Sequence, residues 1–404
     1  MTRGRWAVVL FTALLVAAGG WVVLFGEAWL RGQVLARAAE KGIAIEALGE
    51  VELVGWNEVA LRDLQFRFAR FEPCEITVER VDIVLDGLAP ASLAARGVDV
   101  ALTGGAVSLL LQLGRLGDAH PGLFSVPIEA TDVHVRWWQR ERNEPPWLEA
   151  KGGSIIPTAQ GGRWEARSAT IFGVDAGRVT AHWDGGRADA SFGFGATEGE
   201  PPPVSLRVQH DETPAKLTLD LKPTPLDRLA GPLAVDLLGA KGVAARGKAD
   251  LSLFEDDRIE GVVTGQLDGY RPPLPGPLAS LSFAETTSLR AEVKLDPSWS
   301  TAKMRQFRGH HGGIAVDGRA TFTRGESLRD WSIDLDVSGS IPCAAIAKAA
   351  AESGIGMPSW MGGLAGLAIR GAITLALKVT ARTDDFAGAE VRSRLGVGCG
   401  LLGL

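Results

Sequence analysis

The chain has 404 residues, a formal net charge of -6 and 46% hydrophobic residues. Without its first 25 residues it carries 42 − 2 = 40 basic against 48 acidic side chains, and an acidic balance with no basic stripe excludes a nucleic-acid partner, because neutralising phosphates needs clustered Lys and Arg. The 51 glycines among short Val, Leu, Ala and Thr alternations exclude low-complexity disorder and predict strands joined by tight turns.

Trp6 to Phe25 reads WAVVLFTALLVAAGGWVVLF and contains no charge. At about 1.5 Å per residue, about 20 helical residues span the hydrocarbon core of a bilayer. Arg3 and Arg5 precede the segment and Glu27 follows it, so the positive-inside rule keeps the N-terminus cytoplasmic. Trp6, Trp21 and Trp29 stand where interfacial anchors are expected. A cleaved signal peptide is the rival reading. Its apolar region runs about 7–15 residues and ends in a small-residue site. Here the run is longer, and Ala17-Ala18-Gly19-Gly20 lies inside it. The expectation is therefore an uncleaved single-pass membrane anchor over 1–25, with the main domain extracytoplasmic.

Glu27 to Lys41 places Trp29, Leu30, Val34, Leu35 and Ala38 at helical spacing, and Gly42 suits a stop. The pattern then changes to period two. Val81, Ile83 and Leu85 share one strand face, as do Val98, Val100 and Leu102. Val133, Val135 and Trp137 alternate with Asp132, His134 and Arg136. Leu217 to Leu221 and Leu289 to Leu295 alternate likewise. Ile333, Leu335 and Val337 give the clearest case, followed by Ile373 to Val379. Such alternation means one apolar and one wet face. The expected fold is mainly β: after the transmembrane helix, a meandering antiparallel sheet with a few short helices. Pro201-Pro202-Pro203 marks a boundary between a β-rich region over 26–200 and a second over 201–404. The second holds a short helical insertion near 342–363. Arg271 to Pro277 is a stiff connection.

Chemistry is sparse. His310 and His311 are adjacent, so in a strand they point to opposite faces and share a metal poorly. Gly398-Cys399-Gly400-Leu401-Leu402-Gly403 matches a dinucleotide-loop spacing, but no helix follows it in this sequence. Asp334 and Asp336 sit two apart on a polar strand face, which is the pattern of solvated charges. The expectation is no catalytic, metal or cofactor site and no enzymatic activity. Trp137-Trp138, Trp147, Trp164 and Trp183 either line a groove or pack in the core. Cys343 and Cys399 both lie in the C-terminal segment. Two readings stand: they pair, or Cys74, Cys343 and Cys399 are three unlinked apolar side chains.

Several segments carry a family resemblance. The anchor leads into Val34-Leu35-Ala36-Arg37-Ala38-Ala39-Glu40-Lys41-Gly42. Then come Val59-Ala60-Leu61-Arg62-Asp63-Leu64-Gln65-Phe66, Ile76-Thr77-Val78-Glu79-Arg80-Val81-Asp82-Ile83, Ala91-Ser92-Leu93 and Gly97-Val98-Asp99-Val100-Ala101-Leu102. In this order they resemble the start of the AsmA-like superfamily of bacterial envelope proteins. Ser338 to Cys343 and Gly396 to Leu401 are similar to non-catalytic regions of deltaproteobacterial envelope proteins. The resemblance implies a curled sheet whose apolar groove shields phospholipid acyl chains between membranes, or supports outer-membrane biogenesis. The candidate groove residues are then Val81, Ile83, Leu85, Val98, Val100, Leu102, Val133, Val135, Trp137, Ile333, Leu335 and Val337. Membrane, phospholipid and other envelope proteins are the expected partners. The alternative is a non-enzymatic structural or interaction module of cell-envelope or peptidoglycan synthesis, whose apolar face is an ordinary filled core.

Overall fold

The computed structural model describes residues 27–401 except 69–70, 88, 106–107, 110–125, 140–141, 143, 158–160, 172, 185–186, 198, 210–212, 231–240, 271–284, 326–329, 353–368 and 383–387. The expected anchor over 1–25 lies outside these residues. Among the described residues no helix is long and apolar enough to cross a membrane. The protein is mainly β, with few helices and one large sheet of 20 strands. Its described residues divide between two compact units.

The first unit opens with a helix over 27–40, which Gly42 ends at φ 73°. Five strands follow: β1 (Ile43–Ala47), β2 (Val51–Leu53), β3 (Glu58–Phe68), β4 (Phe71–Asp86) and β5 (Ala89–Thr103). β1 and β2 both pair with β3, then β3 with β4 and β4 with β5, all antiparallel. Most of β6 (Ile128–Trp138) and β7 (Leu148–Pro157) and the first half of β8 (Gly161–Ile171) also belong here. Between β5 and β6 the contacts advance together. The Leu93 amide donates to the Pro127 carbonyl at 3.0 Å, while Asp99 takes Arg136 at 2.8 Å and His134 at 3.3 Å. This is the relation of parallel neighbours, and residues 104–127 are long enough for the crossover it requires.

The strands of this unit reverse their pleat at one row. Asp63, Gly97, Asp132 and Gly152 have φ of 48°, 62°, 54° and 62°, the left-handed region. Across this row of β3–β5 the register does not slip: Arg62 opposes Arg80 and Arg80 opposes Arg96, then Leu64 opposes Val78 and Val78 opposes Val98. Yet buried positions fall three apart, at Leu61 and Leu64, Val78 and Val81, and Ala130 and Val133. The reversal keeps both halves of each strand on one core. That core gathers Leu61, Leu64, Val78, Val81, Val98 and Val133, and the helix adds Leu30 and Val34.

The second unit holds the rest of β8 and everything after it, plus the excursions Gly104–Leu111 and Trp138–Glu149. Its strands are β9 (Val174–Asp184), β10 (Arg187–Phe192), β11 (Val204–Gln209), β12 (Ala215–Pro225), β13 (Ala244–Leu253), β14 (Ile259–Asp268), β15 (Thr286–Leu295), β16 (Thr301–His311), β17 (Ile314–Arg324), β18 (Trp331–Pro342), β19 (Ile369–Arg370), β20 (Ala372–Arg382), β21 (Glu390–Val397) and β22 (Gly400–Leu401). Each strand from β9 to β18 pairs antiparallel with the next. β18 then pairs with β20, and β20 with β21. β19 and β22 make a separate two-stranded sheet. The division drawn from the sequence after residue 200 falls inside this unit, beside the unbroken β10–β11 ladder from Arg187↔Gln209 to Phe192↔Val204.

The expected helical insertion near 342–363 contains a helix, Cys343–Glu352, directly after β18. Its first residue is disulfide-bonded to Cys399, with Cα atoms 5.8 Å apart. Cys74 lies outside that disulfide and is buried on β4.

Candidate functional site

The registers of the second unit place one apolar surface across twelve strands. Phe192, Ala190 and Ala188 of β10 lie between Val179, Ala181 and Trp183 of β9 and Val204, Leu206 and Val208 of β11. Those β11 residues face Leu221, Leu219 and Leu217 of β12, which face Gly247, Ala249 and Leu251 of β13. The same side continues through Val263 of β14, Ala291 and Val293 of β15, Met304 and Phe307 of β16, and Ala320 and Phe322 of β17. It ends on Ile333, Leu335 and Val337 of β18, Leu375, Leu377 and Val379 of β20, and Val391, Leu395 and Val397 of β21. Thr287, His311, Arg324 and Ser393 are polar residues on this side.

Glycine runs through this surface along one row. In pairing order the row reads Leu221, Gly247, Gly265, Leu289, Gly309, Val316, Gly339, Leu375, Leu395. A residue without a side chain leaves a depression as deep as its neighbours are tall, so the adjacent Gly247 and Gly265 leave a shallow trough between Leu221 and Leu289. At Gly247 a Cβ would come 2.5 Å from the Thr264 carbonyl oxygen, so close strand approach requires glycine there. At Gly265 a Cβ would meet only the Arg246 carbonyl, at 3.5 Å, so there the space is open.

The large side chains of the surface are mostly half-buried. Leu206, Leu217, Leu219, Leu251, Leu289, Phe322, Ile333 and Leu335 are all intermediate, while Val263 and Trp183 are exposed. The opposite side is polar and tied by ion pairs. Asp189 holds Arg207 and Arg187 at 2.8 Å each, Lys294 meets Glu260 at 2.7 Å, and Arg319 meets Asp336 at 2.9 Å. The Lys294 hydrogen bond, with Lys294 and Arg258 nearby, lowers the Glu260 pKa despite a small opposing desolvation. A shallow dish of about 560 Å³ on this polar side lies over Gly339 and Gly396.

The sequence candidates separate into two groups. Ile333, Leu335 and Val337 lie on the half-buried apolar surface of the second unit. Val81, Val98 and Val133 are buried in the first unit's core, and Ile83, Leu85, Val100 and Val135 pack against it. Leu102 opposes Cys74 on β4, and Trp137 is half-buried on β6. These first-unit positions line a core to which the helix over 27–40 contributes side chains. The tryptophans also part. Trp138 and Trp147 are buried, and Trp147 lies 5.0 Å from Trp299 and 5.4 Å from the Arg324 guanidinium. Trp183 stands on the apolar surface.

Sequence reasoning missed the contributions of β9–β11, β13, β14, β16 and β17. Glycine and alanine interrupt their hydrophobic alternation, and β16 carries an extra residue. Asp334 and Asp336 sit on the polar face, where Thr380 donates to Asp334 at 3.0 Å and Arg319 pairs with Asp336. His310 is exposed and His311 buried, on opposite faces at the end of β16. Among the described residues no group of His, Cys, Asp and Glu could hold a metal ion.

No protein-family model, no curated protein and no solved structure matches the chain.

Proposed function

We propose that this is a membrane-anchored, AsmA-like periplasmic protein that holds phospholipid acyl chains against the apolar surface of β9–β21, conducting lipid or supporting outer-membrane biogenesis. The anchor is the segment over 1–25, N-terminus cytoplasmic, in the inner membrane. The observation that carries the reading is the continuity of that surface: apolar side chains meet at successive pairs across twelve strands, while the other side is mainly charged and polar. Half-buried leucines facing water are unfavourable, at about 25 cal/mol per Å² of apolar area. An acyl chain laid on them gains about 0.8 kcal/mol per methylene removed from water. Twist accumulates in large sheets, and a curled sheet would make the apolar side concave and the glycine row its floor. The reading asks for affinity along a surface and no bond chemistry.

A second reading, an interaction module of envelope synthesis, draws on β21. Its Val391, Leu395 and Val397 are strongly exposed, and an exposed strand edge can accept a partner strand.

The test is direct. The full chain is purified in mild detergent, its lipids are extracted, and they are identified by mass spectrometry against the same anchor fused to an unrelated domain. Phospholipid in molar excess over the control is expected. Equal lipid in both preparations overturns the reading.

A further inference from the structure

The tip of the β2–β3 hairpin is apolar and exposed. Leu53 and Val54 are 53% exposed and Trp56 is fully exposed. The tip is held in place. The Val54 amide donates to the Glu58 carbonyl at 2.9 Å, and the Leu85 amide donates to the Asn57 carbonyl at 2.7 Å. A tryptophan fixed in full contact with water adds nothing to the fold.

The chain direction shows what the tip faces. β1 begins at Ile43, opposite Phe68, and advances along β3 to Ala47, opposite Gln65. β2 continues the same way, Val51 opposite Leu61 and Leu53 opposite Val59, towards the tip. The helix over 27–40 runs the other way, because its end joins β1 through Gly42 while Arg31, near its start, donates to the carbonyls of Leu48 and Gly49. Residue 27 therefore lies at the tip's end of the first unit. The uncharged segment Trp6 to Phe25 is attached to that same end. At about 3.3 Å per residue the tip reaches roughly 15 Å beyond the level of Gly49. Trp29, 51% exposed, stands at the same end.

We infer that the Leu53–Trp56 tip dips into the interface of the bilayer that holds the anchor, with Trp56 and Trp29 as its aromatic contacts at the headgroup level. The inference rests on the anchor reading and adds a second, protein-built contact with the same leaflet. It would set the orientation of the first unit on the membrane, which a single point of attachment does not fix. Glu50, Glu52 and Glu58 surround the tip, with Arg62 3.8 Å from Glu50 and 3.4 Å from Glu52, so the contact suits a zwitterionic surface rather than a strongly anionic one.

The test labels the tip in the full chain. Gly55 has open space around it, its nearest heavy atom being the Glu58 Cβ at 3.9 Å, so Gly55→Cys is tolerated. Cys74 is buried and Cys343 and Cys399 are bonded to each other, so an NBD maleimide marks position 55 selectively. The labelled chain is reconstituted in phosphatidylcholine vesicles and floated. Ser338→Cys, on the exposed polar side of β18, is the control. The expected result is flotation, a blue-shifted emission at 55 and stronger quenching by 5-doxyl than by 12-doxyl lipid, with neither at 338. Flotation with a water-like, iodide-quenched label at 55 overturns the inference and leaves the anchor standing. Failure to float overturns both.

Discussion

Met304 and Phe307 lie on one face of β16, although they are three positions apart along the chain. Gln306, at φ 50°, is the extra residue. The registers with β15 and with β17 both slip at this point, between Arg290 and Glu292 on one side and between Met304 and Phe307 on the other. A β-bulge of this kind re-aims the following side chains, so the apolar surface continues instead of flipping to the polar side. A non-glycine residue held in the left-handed region costs about 1 kcal/mol. Gln306→Gly should therefore stabilise the protein by about 1 kcal/mol, and Gln306→Val should destabilise it by about as much. Chemical denaturation followed by fluorescence reads both shifts, and equal midpoints for the two variants would contradict the role given to the bulge.

Gly265 tests the trough separately from the fold. Its added Cβ finds ordinary space, and its cross-strand neighbours are Gly247 and Leu289. Gly265→Leu should fill the depression with little change in the denaturation midpoint, while lipid recovered with the purified chain falls several-fold. Gly318→Ala is the contrast: its Cβ would sit 2.6 Å from the Asp336 carbonyl oxygen. That substitution should destabilise by about 1–3 kcal/mol through strand displacement.

His311 gives a pH dependence with a definite sign. It is buried, and its Nδ1 lies 2.9 Å from the Thr287 hydroxyl oxygen. Burial lowers its pKa from the ordinary 6.5. A histidine whose folded pKa is depressed leaves the fold at full stability above the unfolded pKa, and stability is lost as the pH falls from the unfolded pKa through the lower folded one. Between about pH 7.5 and pH 5 the wild type should lose more stability than a Thr287→Val/His311→Leu double variant, which has no proton to bind there. Parallel pH profiles for the two proteins would contradict the assignment.

The Cys343–Cys399 bond closes 56 residues of chain. It ties the start of the Cys343–Glu352 helix to the residues that pair with β19. The Cys343 amide also donates to the Gly371 carbonyl at 3.1 Å, and the Gly398 amide to the Ala372 carbonyl at 3.1 Å. Loop-closure entropy sets an upper value of about 4 kcal/mol for a loop of this length. Cys399→Ser should destabilise the protein by up to that amount, and hydrogen exchange should show β19, β21 and β22 opening first. Unchanged exchange in those strands would show that the ladder holds without the bond.

The sequence showed strands most clearly where alternation is unbroken. Trp331 to Val337 and Ile373 to Val379 read directly as one wet and one apolar face, and they occupy β18 and β20. Their neighbours were hidden for physical reasons. β14 places Gly261 and Gly265 where an alternation count needs large side chains, and β16 shifts phase at Gln306. In the first unit the pleat reversal at Asp63, Gly97 and Asp132 moves buried residues from spacing two to spacing three. Alternation is also blind to direction, so it could not show that β5 and β6 advance together. Nor could it tell the helix-backed core around Val133 from the half-buried surface around Leu335, because both present the same period. Cysteine spacing left the 343–399 pairing open, since only the fold brings the end of β18 beside the end of β21.

Val262 and Val263 are consecutive and point to opposite sides of β14. Val262 pairs with Asp250 and Glu292, and Val263 with Ala249 and Ala291. A photo-crosslinking benzoylphenylalanine placed at either position in the full chain, in phosphate-labelled cells, reads which side meets lipid. The account predicts labelled phospholipid attached at 263 and none at 262. Equal labelling at both, or crosslinks to protein alone at 263, would contradict it.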